Sequence, residues 1–411
     1  MKNILAMILA GGRVDELDVL TFERPKSAVP FGALYRIIDF PMSNLMHSGI
    51  ERVGILSQYR PLHLMNHIAN GAPWDMMGRN RFAVMLPHFK GREAADWYKG
   101  TGDAVYQNLE FVRMHKPDLV MILSGDHIYR MDYQQMAAFH LEKKADLTIG
   151  FTRMPKEGGH RFGQALIEEE DERGGRVLKY AEKPKKALFD WASLTIYLFT
   201  PSVLFEALKE NAKKDSHEFG KDIIPALVDH SRVYGYKHQG YWGYTRTLAE
   251  YWRTNMDLLG SKPAVDLQSW QVRTNLAHQR IRDRQPAIVG PHAQVEDSLF
   301  YSGCTIKGRV VRSLLFPGVT VEEGAVVKDS IIFFDANIGR EARVTKTIAD
   351  VSARIGEGCR VGETRWDNLT MIGIGSTIPG GVTLKAGVTV YPRVAATRFS
   401  ASTYKKGEIV K

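Results

Sequence analysis

The 411-residue chain contains only two cysteines, Cys304 and Cys359. Two thiols cannot form a disulfide framework, so the sequence predicts a protein of the reducing cytoplasm in which both cysteines are buried as small apolar side chains. The chain also lacks any apolar run near the roughly 18 residues that a membrane span requires, so no membrane-embedded segment is expected. The apolar N-terminal stretch resembles a signal peptide, but it ends in Gly11-Gly12 without a small-x-small cleavage site, and secretion is therefore not expected.

Positive charge is in excess in the chain but is not concentrated in any one stretch of sequence. The formal net charge is +9, yet no tract of five or more basic residues occurs. An excess of positive charge suits phosphate-bearing ligands and would also suit nucleic acid. Because the chain carries no nucleic-acid-binding motif, a nucleic-acid partner is not expected. The length predicts two to three domains, each large enough to bury its own core.

The beginning of the chain predicts a buried strand that ends at a phosphate-binding turn. Residues 4–10 form an uninterrupted apolar run, which is typical of a strand covered on both faces in a parallel sheet. Gly11 and Gly12 follow, and two glycines let the backbone turn sharply and expose its N–H groups. A tight turn without a ligand is the alternative interpretation.

A second apolar run, residues 119–123, repeats this pattern and is followed closely by Asp126. A carboxylate at a strand end beside a phosphate loop is where a nucleotide-bound Mg²⁺ would be held, since this ion prefers one or two carboxylates together with phosphate oxygens. The alternative is that Asp126 caps the next turn. Both interpretations place it at the carboxyl edge of the sheet, where open α/β sheets bind their ligands.

The first 260 residues alternate between strand and helix patterns, which predicts a doubly wound, Rossmann-like α/β domain. Thr247 with Glu250 three residues later forms a capping box, which predicts a helix that runs to about Leu259. Residues 75–95 show no periodicity and are interpreted as a long surface loop. The other predicted strands are 53–56, 147–151, 164–167, 177–181 and 193–199, and the other predicted helices are 39–48, 201–209 and 222–229.

From residue 287 the apolar pattern changes to a period of six. Valine, isoleucine and leucine recur at this spacing with glycine and small residues between them, which is the hexapeptide signature of a parallel β-helix. The predicted organisation is therefore a domain over 1–260, a linker over 261–286, a β-helix over 287–395 and a C-terminal tail over 396–411. Apolar residues six apart are Val289 and Val295, Val321 and Val327, Ile338 and Val344, Ile355 and Val361, and the run Ile372, Ile378, Leu384 and Val390.

Several short motifs are more specific than these periodicities. They are Glu23-Arg24-Pro25-Lys26, Trp97-Tyr98-Lys99-Gly100-Thr101, Ser124-Gly125-Asp126-His127, Glu182-Lys183-Pro184 and Phe219-Gly220-Lys221-Asp222. With them the chain resembles the sugar-1-phosphate nucleotidyltransferases, most closely the bacterial glucose-1-phosphate adenylyltransferases. Members of that family join ATP and glucose 1-phosphate into ADP-glucose and pyrophosphate for glycogen or starch synthesis. The resemblance implies a left-handed β-helix, a Mg²⁺ cofactor, and a homotetramer or a mixed tetramer with a related subunit.

The resemblance also assigns roles to residues. Lys26 and Asp126 would be catalytic, and Asp126 would be the metal ligand. The expected nucleotide-binding residues are Ala10, Gly11, Gly12, Gly100 and Thr101. The expected sugar-phosphate-binding residues are Tyr98, Gly163, Glu182, Lys183 and Ser193. Lys183 offers a cation to the phosphate and Glu182 accepts hydrogen bonds from sugar hydroxyls, although a surface Glu-Lys-Pro turn is the alternative.

The nucleotide side departs from the family pattern at two places. The family reads Gly-Gly-x-Gly-x-Arg-Leu, whereas residues 11–17 read Gly-Gly-Arg-Val-Asp-Glu-Leu, so Glu16 replaces an arginine. The family motif Trp-Arg-Asp-Val-Gly-Thr aligns with Trp-Gly-Tyr-Thr-Arg-Thr at 242–247, so Tyr244 replaces a metal-binding aspartate. Slow turnover is expected unless Arg13 or Arg246 compensates.

Three alternatives to an active adenylyltransferase remain open from the sequence. The chain could be a weak or inactive regulatory subunit of the same assembly, or a transferase that uses another nucleotide such as UTP or dTTP. A β-helix acyltransferase is a third, but it would need a histidine inside the coils and His292 stands only at their entrance. The basic stretch 273–284, with Arg280 and Arg282, is a candidate site for an anionic effector, and a solvated charged linker is its alternative.

Overall fold

The computed structural model forms two compact units, and the structure describes residues 2–12, 14–87, 97–155, 158–364 and 368–411. The first unit consists of residues 1–12 and 40–242, and the second of residues 13–39 and 243–411. The predicted boundaries at 260, 286 and 395 stay a prediction. Among the described residues, no helix is long and apolar enough to cross a membrane.

A nine-stranded sheet forms the centre of the first unit. The Ile4–Leu9 strand pairs in parallel with Arg52–Ser57 on one side and with Leu119–Ser124 on the other. Residues 5–8 are fully buried, which confirms the prediction of a strand covered on both faces. The order across the sheet is Phe82–Pro87, Arg52–Ser57, Ile4–Leu9, Leu119–Ser124, Trp191–Phe199, Leu147–Arg153, Val233–Lys237, Gly174–Ala181 and Gln164–Ile167.

The prediction of a loop over residues 75–95 was wrong in part, because Phe82–Pro87 is a strand. This strand pairs in parallel with Arg52–Ser57 along its whole length. Residues 88–96 lie outside the described part of the chain. The apolar run is only six residues long and ends in proline, so its flanks of methionine, arginine and glycine obscured it. Short strands also occur at His127–Tyr129 and Trp242–Tyr244.

Helices alternate with these strands, which confirms the predicted α/β class. The capping box of Thr247 and Glu250 is present, although the helix it opens ends at Met256 and not near Leu259. The α-helices are Asp39–His47, Leu62–Ile68, Thr101–Gln107, Leu109–His115, Tyr133–Glu142, Pro201–Asn211, Ile224–His230, Leu248–Met256 and Leu267–Trp270. A π-helical turn, Phe219–Ile223, precedes Ile224–His230, and 3₁₀ turns lie at Ala72–Trp74, Gly159–Arg161 and Ala396–Arg398.

The second unit contains three sheets of short parallel strands, as the β-helix prediction requires. The first sheet is Ile288–Val289, Thr305–Ile306, Thr320–Val321, Asn337–Ile338, Arg354–Ile355 and Thr377–Ile378. The second is Gln294–Glu296, Arg309–Val311, Val326–Lys328, Arg343–Thr345, Arg360–Val361, Thr383–Leu384 and Thr403–Tyr404. The third is Leu299–Phe300, Leu314–Leu315, Ile331–Ile332, Thr347–Ala349, Thr370–Ile372, Thr389–Val390 and Ile409–Val410.

The six-residue period is the step from one sheet to the next within a coil, as between Val321 and Val327. Val327 pairs with Val344, and Val344 pairs with Val361, so each coil places an apolar side chain above that of the coil before it. These side chains form one core together with Cys304 and Cys359, both fully buried as predicted. Residues 396–411, predicted as a tail, contain two strands that continue the second and third sheets.

Residues 14–39 fold against the other segments of the second unit. They form the 3₁₀ turns Asp15–Thr21 and Lys26–Ala28 and a small hairpin of Pro30–Phe31 with Tyr35–Arg36. Arg24 contacts the carboxylate of Asp350, and both side chains are buried. A buried ion pair is costly to break, since removing one partner leaves an uncompensated charge. This pair therefore holds the segment that carries Lys26 on the β-helix.

Candidate active site

Three loops of the first unit meet where its central parallel strands end. The N–H of Ala10 donates to the Leu56 carbonyl at 2.9 Å, and the N–H of Tyr59 donates to the Gly11 carbonyl at 3.3 Å. A Cβ on Gly11 would lie 3.1 Å from the backbone nitrogen of Gln58, whereas one on Gly12 would meet nothing within 4 Å. Gly11 is thus explained by close packing of two backbones, whereas a side chain at Gly12 would point into open space.

The segment of Tyr98, Gly100 and Thr101 joins this edge. The N–H of Tyr98 donates to the side-chain oxygen of Gln58 at 2.7 Å. A Cβ on Gly100 would lie 2.4 Å from the His217 carbonyl oxygen, so only glycine fits there. The Thr101 hydroxyl donates to Glu218 at 2.6 Å and accepts from the N–H of Phe219 at 3.1 Å. Glu218 could not be predicted from the sequence, because its contact with Thr101 depends on tertiary structure.

Asp126 lies beyond the Leu119–Ser124 strand and is partly exposed. The Ser124 hydroxyl donates to one of its carboxylate oxygens, and Nε2 of His127 lies 3.3 Å from the same oxygen. The His127 ring is fixed by an edge-on contact with Trp242, with ring centroids 5.5 Å apart. Within the described residues, no group of three or more His, Cys, Asp or Glu side chains could hold a metal by itself. A single carboxylate fits a metal that shares its ligands with nucleotide phosphates, as Mg²⁺ does.

The predicted sugar-phosphate residues Gly163, Glu182, Lys183 and Ser193 lie together around the Glu182 carboxylate. The Tyr180 hydroxyl donates to Oε2 of Glu182 at 2.8 Å, and Nζ of Lys183 lies 3.2 Å from Oε1. The N–H of Ser193 donates to the Gly163 carbonyl at 2.8 Å. The Lys183 side chain is 56% exposed, so its ammonium group is available to a ligand.

Two glycines make room for this carboxylate. A Cβ on Gly163 would lie 1.9 Å from the Tyr180 hydroxyl oxygen and 2.7 Å from Oε2 of Glu182. A Cβ on Gly220 would lie 2.3 Å from the same oxygen. Alanine at either position would displace the carboxylate.

Tyr180 and Tyr197 complete the cluster, and both were missed by the sequence reasoning. Burial and the nearby Glu182 raise the pKa of Tyr197 above its ordinary value, and burial with Tyr197 and Glu182 does the same for the pKa of Tyr180. Both phenols therefore stay protonated near neutral pH, and that of Tyr180 donates its hydrogen bond to Glu182. Tyr180 lies near the end of the Gly174–Ala181 strand, and Glu182 follows the last residue of that strand, so only the folded chain shows that their side chains bond.

Tyr98, the remaining predicted sugar-phosphate residue, lies with the loop of Gln58. Its hydroxyl accepts from the side-chain amide of Asn108 at 3.1 Å and donates to the Leu86 carbonyl at 3.4 Å. Burial raises the pKa of this phenol, although its bond with Asn108 acts in the opposite direction. These bonds fix the ring near the carboxyl end of the Phe82–Pro87 strand.

In the second unit, the two positions that depart from the family pattern come together. Nε of Arg246 lies 2.8 Å from Oε1 of Glu16, and Arg246 also hydrogen-bonds Tyr244. Nζ of Lys26 lies 5.4 Å from the centre of the Tyr244 ring. Burial acts to lower the pKa of Arg246, but its bonds with Glu16 and Tyr244 outweigh burial and raise it. Arg13, the other candidate for compensation, lies outside the described residues.

The two arginines of the candidate effector site differ in their surroundings. Nη1 of Arg280 lies 2.9 Å from Oδ2 of Asp335, a carboxylate that Arg284 also contacts. Arg282 is 62% exposed and has only a 3.7 Å approach to the neighbouring Asp283. Arg280 therefore helps to attach the linker to the β-helix, which favours the structural interpretation for this residue, while Arg282 is open to solvent.

Comparison with known proteins agrees with this arrangement. Residues 5–261 match the family model described as Nucleotidyl transferase, and residues 287–383 match that of the GlmU-like C-terminal hexapeptide. A glucose-1-phosphate adenylyltransferase of Desulforamulus reducens is 40% identical over 355 residues, 85% of this chain and 87% of the relative. The chain belongs to the glucose-1-phosphate adenylyltransferase family.

Other members of the family are similarly close. The enzyme of that name from Geobacillus stearothermophilus is 43% identical over 332 residues, 80% of this chain and 84% of its own. One from Fervidobacterium nodosum is 41% identical over 345 residues, 83% and 81% of the two chains. The predicted family, the nucleotidyltransferase class and the hexapeptide β-helix are thereby confirmed. The acyltransferase and the other-nucleotide alternatives gain no support from them.

Proposed function

We propose that this chain joins ATP and glucose 1-phosphate into ADP-glucose and pyrophosphate, the activated donor for glycogen- or starch-type glucan synthesis. The observation that carries the proposal is the Glu182 cluster. Its carboxylate is held by Tyr180 and packed against Gly163 and Gly220, while Lys183 stays exposed beside it. A carboxylate and an ammonium group fixed side by side suit a sugar that bears hydroxyls and a phosphate.

In this proposal the sugar-phosphate site consists of Tyr98, Gly163, Glu182, Lys183 and Ser193. Glu182 accepts hydrogen bonds from sugar hydroxyls, and Lys183 pairs with the phosphate. The Glu182–Lys183 pair is solvated on its lysine side, so substrate phosphate can replace the carboxylate as the partner of Lys183 at little cost. Ser193 and Gly163, joined through their backbones, fix the wall of the site.

The nucleotide is assigned to Ala10, Gly11, Gly12, Gly100 and Thr101, with Lys26 as the cation on its phosphates. The exposed backbone N–H groups that follow a parallel strand bind phosphate oxygens. Asp126 would hold Mg²⁺, which supplies charge neutralisation on the phosphates when it is bound. The glycines after the first strand orient the triphosphate for in-line attack by the sugar phosphate on the α-phosphorus. No covalent intermediate with the protein is needed, so positioning carries the rate.

The test is pyrophosphate release by the pure chain with glucose 1-phosphate and ATP, repeated with UTP and dTTP. Release with ATP at a kcat/KM well above that of the other nucleotides is the expected result. Calorimetry with glucose 1-phosphate alone tests the sugar-phosphate site separately, because binding does not require turnover. Loss of binding in Lys183→Ala, with binding retained in Lys213→Ala, would support the assignment, since Lys213 makes a similar exposed pair with Glu210. Preference for another nucleotide would overturn the proposal.

A second candidate function, a regulatory subunit with weak turnover of its own, is favoured by one observation. Glu16 and Tyr244 replace residues that the family uses for charge neutralisation and metal binding. Such a chain would act in a mixed tetramer with a related subunit in the cytoplasm and would bind a phosphorylated effector. Mixing this chain with a catalytically active relative and measuring the rate and the effector response distinguishes the two candidates. A homotetramer with full activity alone removes the regulatory one.

A further inference from the structure

The two departures from the family pattern are joined by one side chain. Arg246 hydrogen-bonds Glu16, which stands where the family has arginine, and Tyr244, which stands where the family has aspartate. The family's tryptophan motif carries its arginine in second place, whereas here that place is Gly243 and the arginine is in fifth place. The motif has therefore kept a guanidinium group at a different position.

Arg246 also shares a neighbour with Lys26. The Lys26 ammonium group lies 5.4 Å from the centre of the Tyr244 ring, a distance at which a cation and an aromatic face attract each other. Tyr244 thus contacts both cations, one through its ring and one through a hydrogen bond. Because Lys26 is the lysine assigned to the nucleotide phosphates, Arg246 belongs to the same patch of the second unit.

We infer that Arg246 is the phosphate-binding cation that replaces the family's missing arginine, and that Glu16 is the internal anion that occupies it until a triphosphate binds. This inference rests on the proposed nucleotidyl transfer. The Arg246 side chain is 39% exposed and the Glu16 side chain 44%, so their ion pair faces solvent. Pairs of this kind are weak, because solvent screens them and two long side chains must be ordered. A guanidinium group binds a phosphate through two parallel charged hydrogen bonds, which are stronger.

Two matched variants give opposite expectations. Arg246→Gln should raise the KM for ATP by about 10- to 100-fold, with the KM for glucose 1-phosphate unchanged, because a charge-assisted hydrogen bond to the phosphates is lost. Arg246→Lys should recover part of this loss. Glu16→Gln should lower the KM for ATP severalfold, because the arginine no longer has a competing anion. A merely structural pair predicts the same direction for both variants, since each breaks the same ion pair.

The control pair is Arg340 and Glu323 in the β-helix, 2.7 Å apart and 62% exposed each. Arg340→Gln and Glu323→Gln should leave both KM values unchanged. Calorimetry with MgATP and no sugar phosphate provides a readout independent of turnover. Thermal unfolding of each variant identifies any that fails to fold, in which case Arg246→Lys and Glu16→Gln carry the comparison.

The outcomes separate this inference from the proposed function. Opposite shifts in MgATP affinity for the Arg246 and Glu16 variants support the inference even if the chain releases no pyrophosphate. Absence of pyrophosphate release would contradict only the proposed catalytic function. Equal shifts for the two variants, or none, overturn it while leaving turnover intact. Absence of any nucleotide binding by the parent chain overturns both.

Discussion

Replacing Tyr180 by phenylalanine tests the Glu182 cluster most directly, because it removes one oxygen atom and leaves the ring in place. The Tyr180 hydroxyl donates to Oε2 of Glu182 at 2.8 Å. The other contact of this carboxylate, with Lys183, is more than half exposed on the lysine side and is therefore weak. Tyr180 is then the main constraint on the orientation of the carboxylate. We expect the Tyr180→Phe variant to bind glucose 1-phosphate more weakly.

The magnitude follows from the charge on the acceptor. A hydrogen bond to a charged group contributes about 1.5–3 kcal/mol. Since 1.4 kcal/mol is about tenfold in affinity, complete transmission to the ligand would weaken binding by about 10- to 150-fold. This is an upper bound, because part of the lost energy lowers the stability of the free protein instead. The pKa of Tyr180 is well above its ordinary value, so the effect should not vary with pH near neutrality.

Calorimetry with glucose 1-phosphate measures the affinity, and pyrophosphate release measures the KM for each substrate. Tyr106→Phe is the matched control, because Tyr106 is 38% exposed on the Thr101–Gln107 helix. The KM for ATP should stay unchanged in both variants. An unaltered affinity for glucose 1-phosphate in Tyr180→Phe would refute the assignment of Glu182 as the sugar-binding carboxylate.

Three further predictions concern charge. Glu16→Arg should lower kcat/KM for ATP, because the new arginine would face Arg246. Adding Tyr244→Asp should reverse this loss. If the effects of the two substitutions on kcat/KM simply add, positions 16 and 244 are not coupled. Sulphate or a phosphorylated effector should raise the melting temperature by binding the folded chain. Arg282→Ala should reduce this rise more than Arg280→Ala does, because Arg280 is paired with Asp335. Equal rises in the parent and both variants would rule out the effector site. Burial lowers the pKa of His140 from its ordinary value to about 4, so the unfolded chain binds the proton more readily and about 3 kcal/mol of stability should be lost as the pH falls from about 6.5 to 4. Denaturant unfolding at several pH values checks this, and His140→Gln should show a flatter profile.

Periodic patterns decided which parts of the fold could be predicted. The β-helix follows from pairs six residues apart, such as Val321 and Val327, because apolar side chains that stack on each sheet force this repeat on the sequence. The Ile4–Leu9 strand is equally clear, since both of its faces are buried. Phe82–Pro87 is the end strand of its sheet, with one neighbour, and its apolar run is short. Its signal was therefore too weak to separate it from the loop around it.

The site was predictable where the resemblance supplied its residues and not where tertiary contacts did. Glu182 and Lys183 belong to a short motif, and the structure brings them together with Gly163. Tyr180 lies outside that motif, on the strand that ends one residue before Glu182. Glu218 could not be predicted in this way, because it contacts Thr101 only in the folded chain. The two residues are 117 positions apart in the sequence.

Glu16 illustrates the limit of comparing sequences position by position. Considered alone, an anion in place of a cation about 4 Å from a phosphate changes attraction into repulsion, each on the order of 4 kcal/mol at an effective dielectric constant of about 20. In the structure, Glu16 lies 2.8 Å from Arg246, a residue 230 positions away. At a distance of several ångströms the two charges largely cancel, so the repulsion estimated for an isolated Glu16 does not apply. The departures from the family pattern at positions 16 and 244 therefore rearrange the charges around Arg246. They are not by themselves evidence that catalysis is lost.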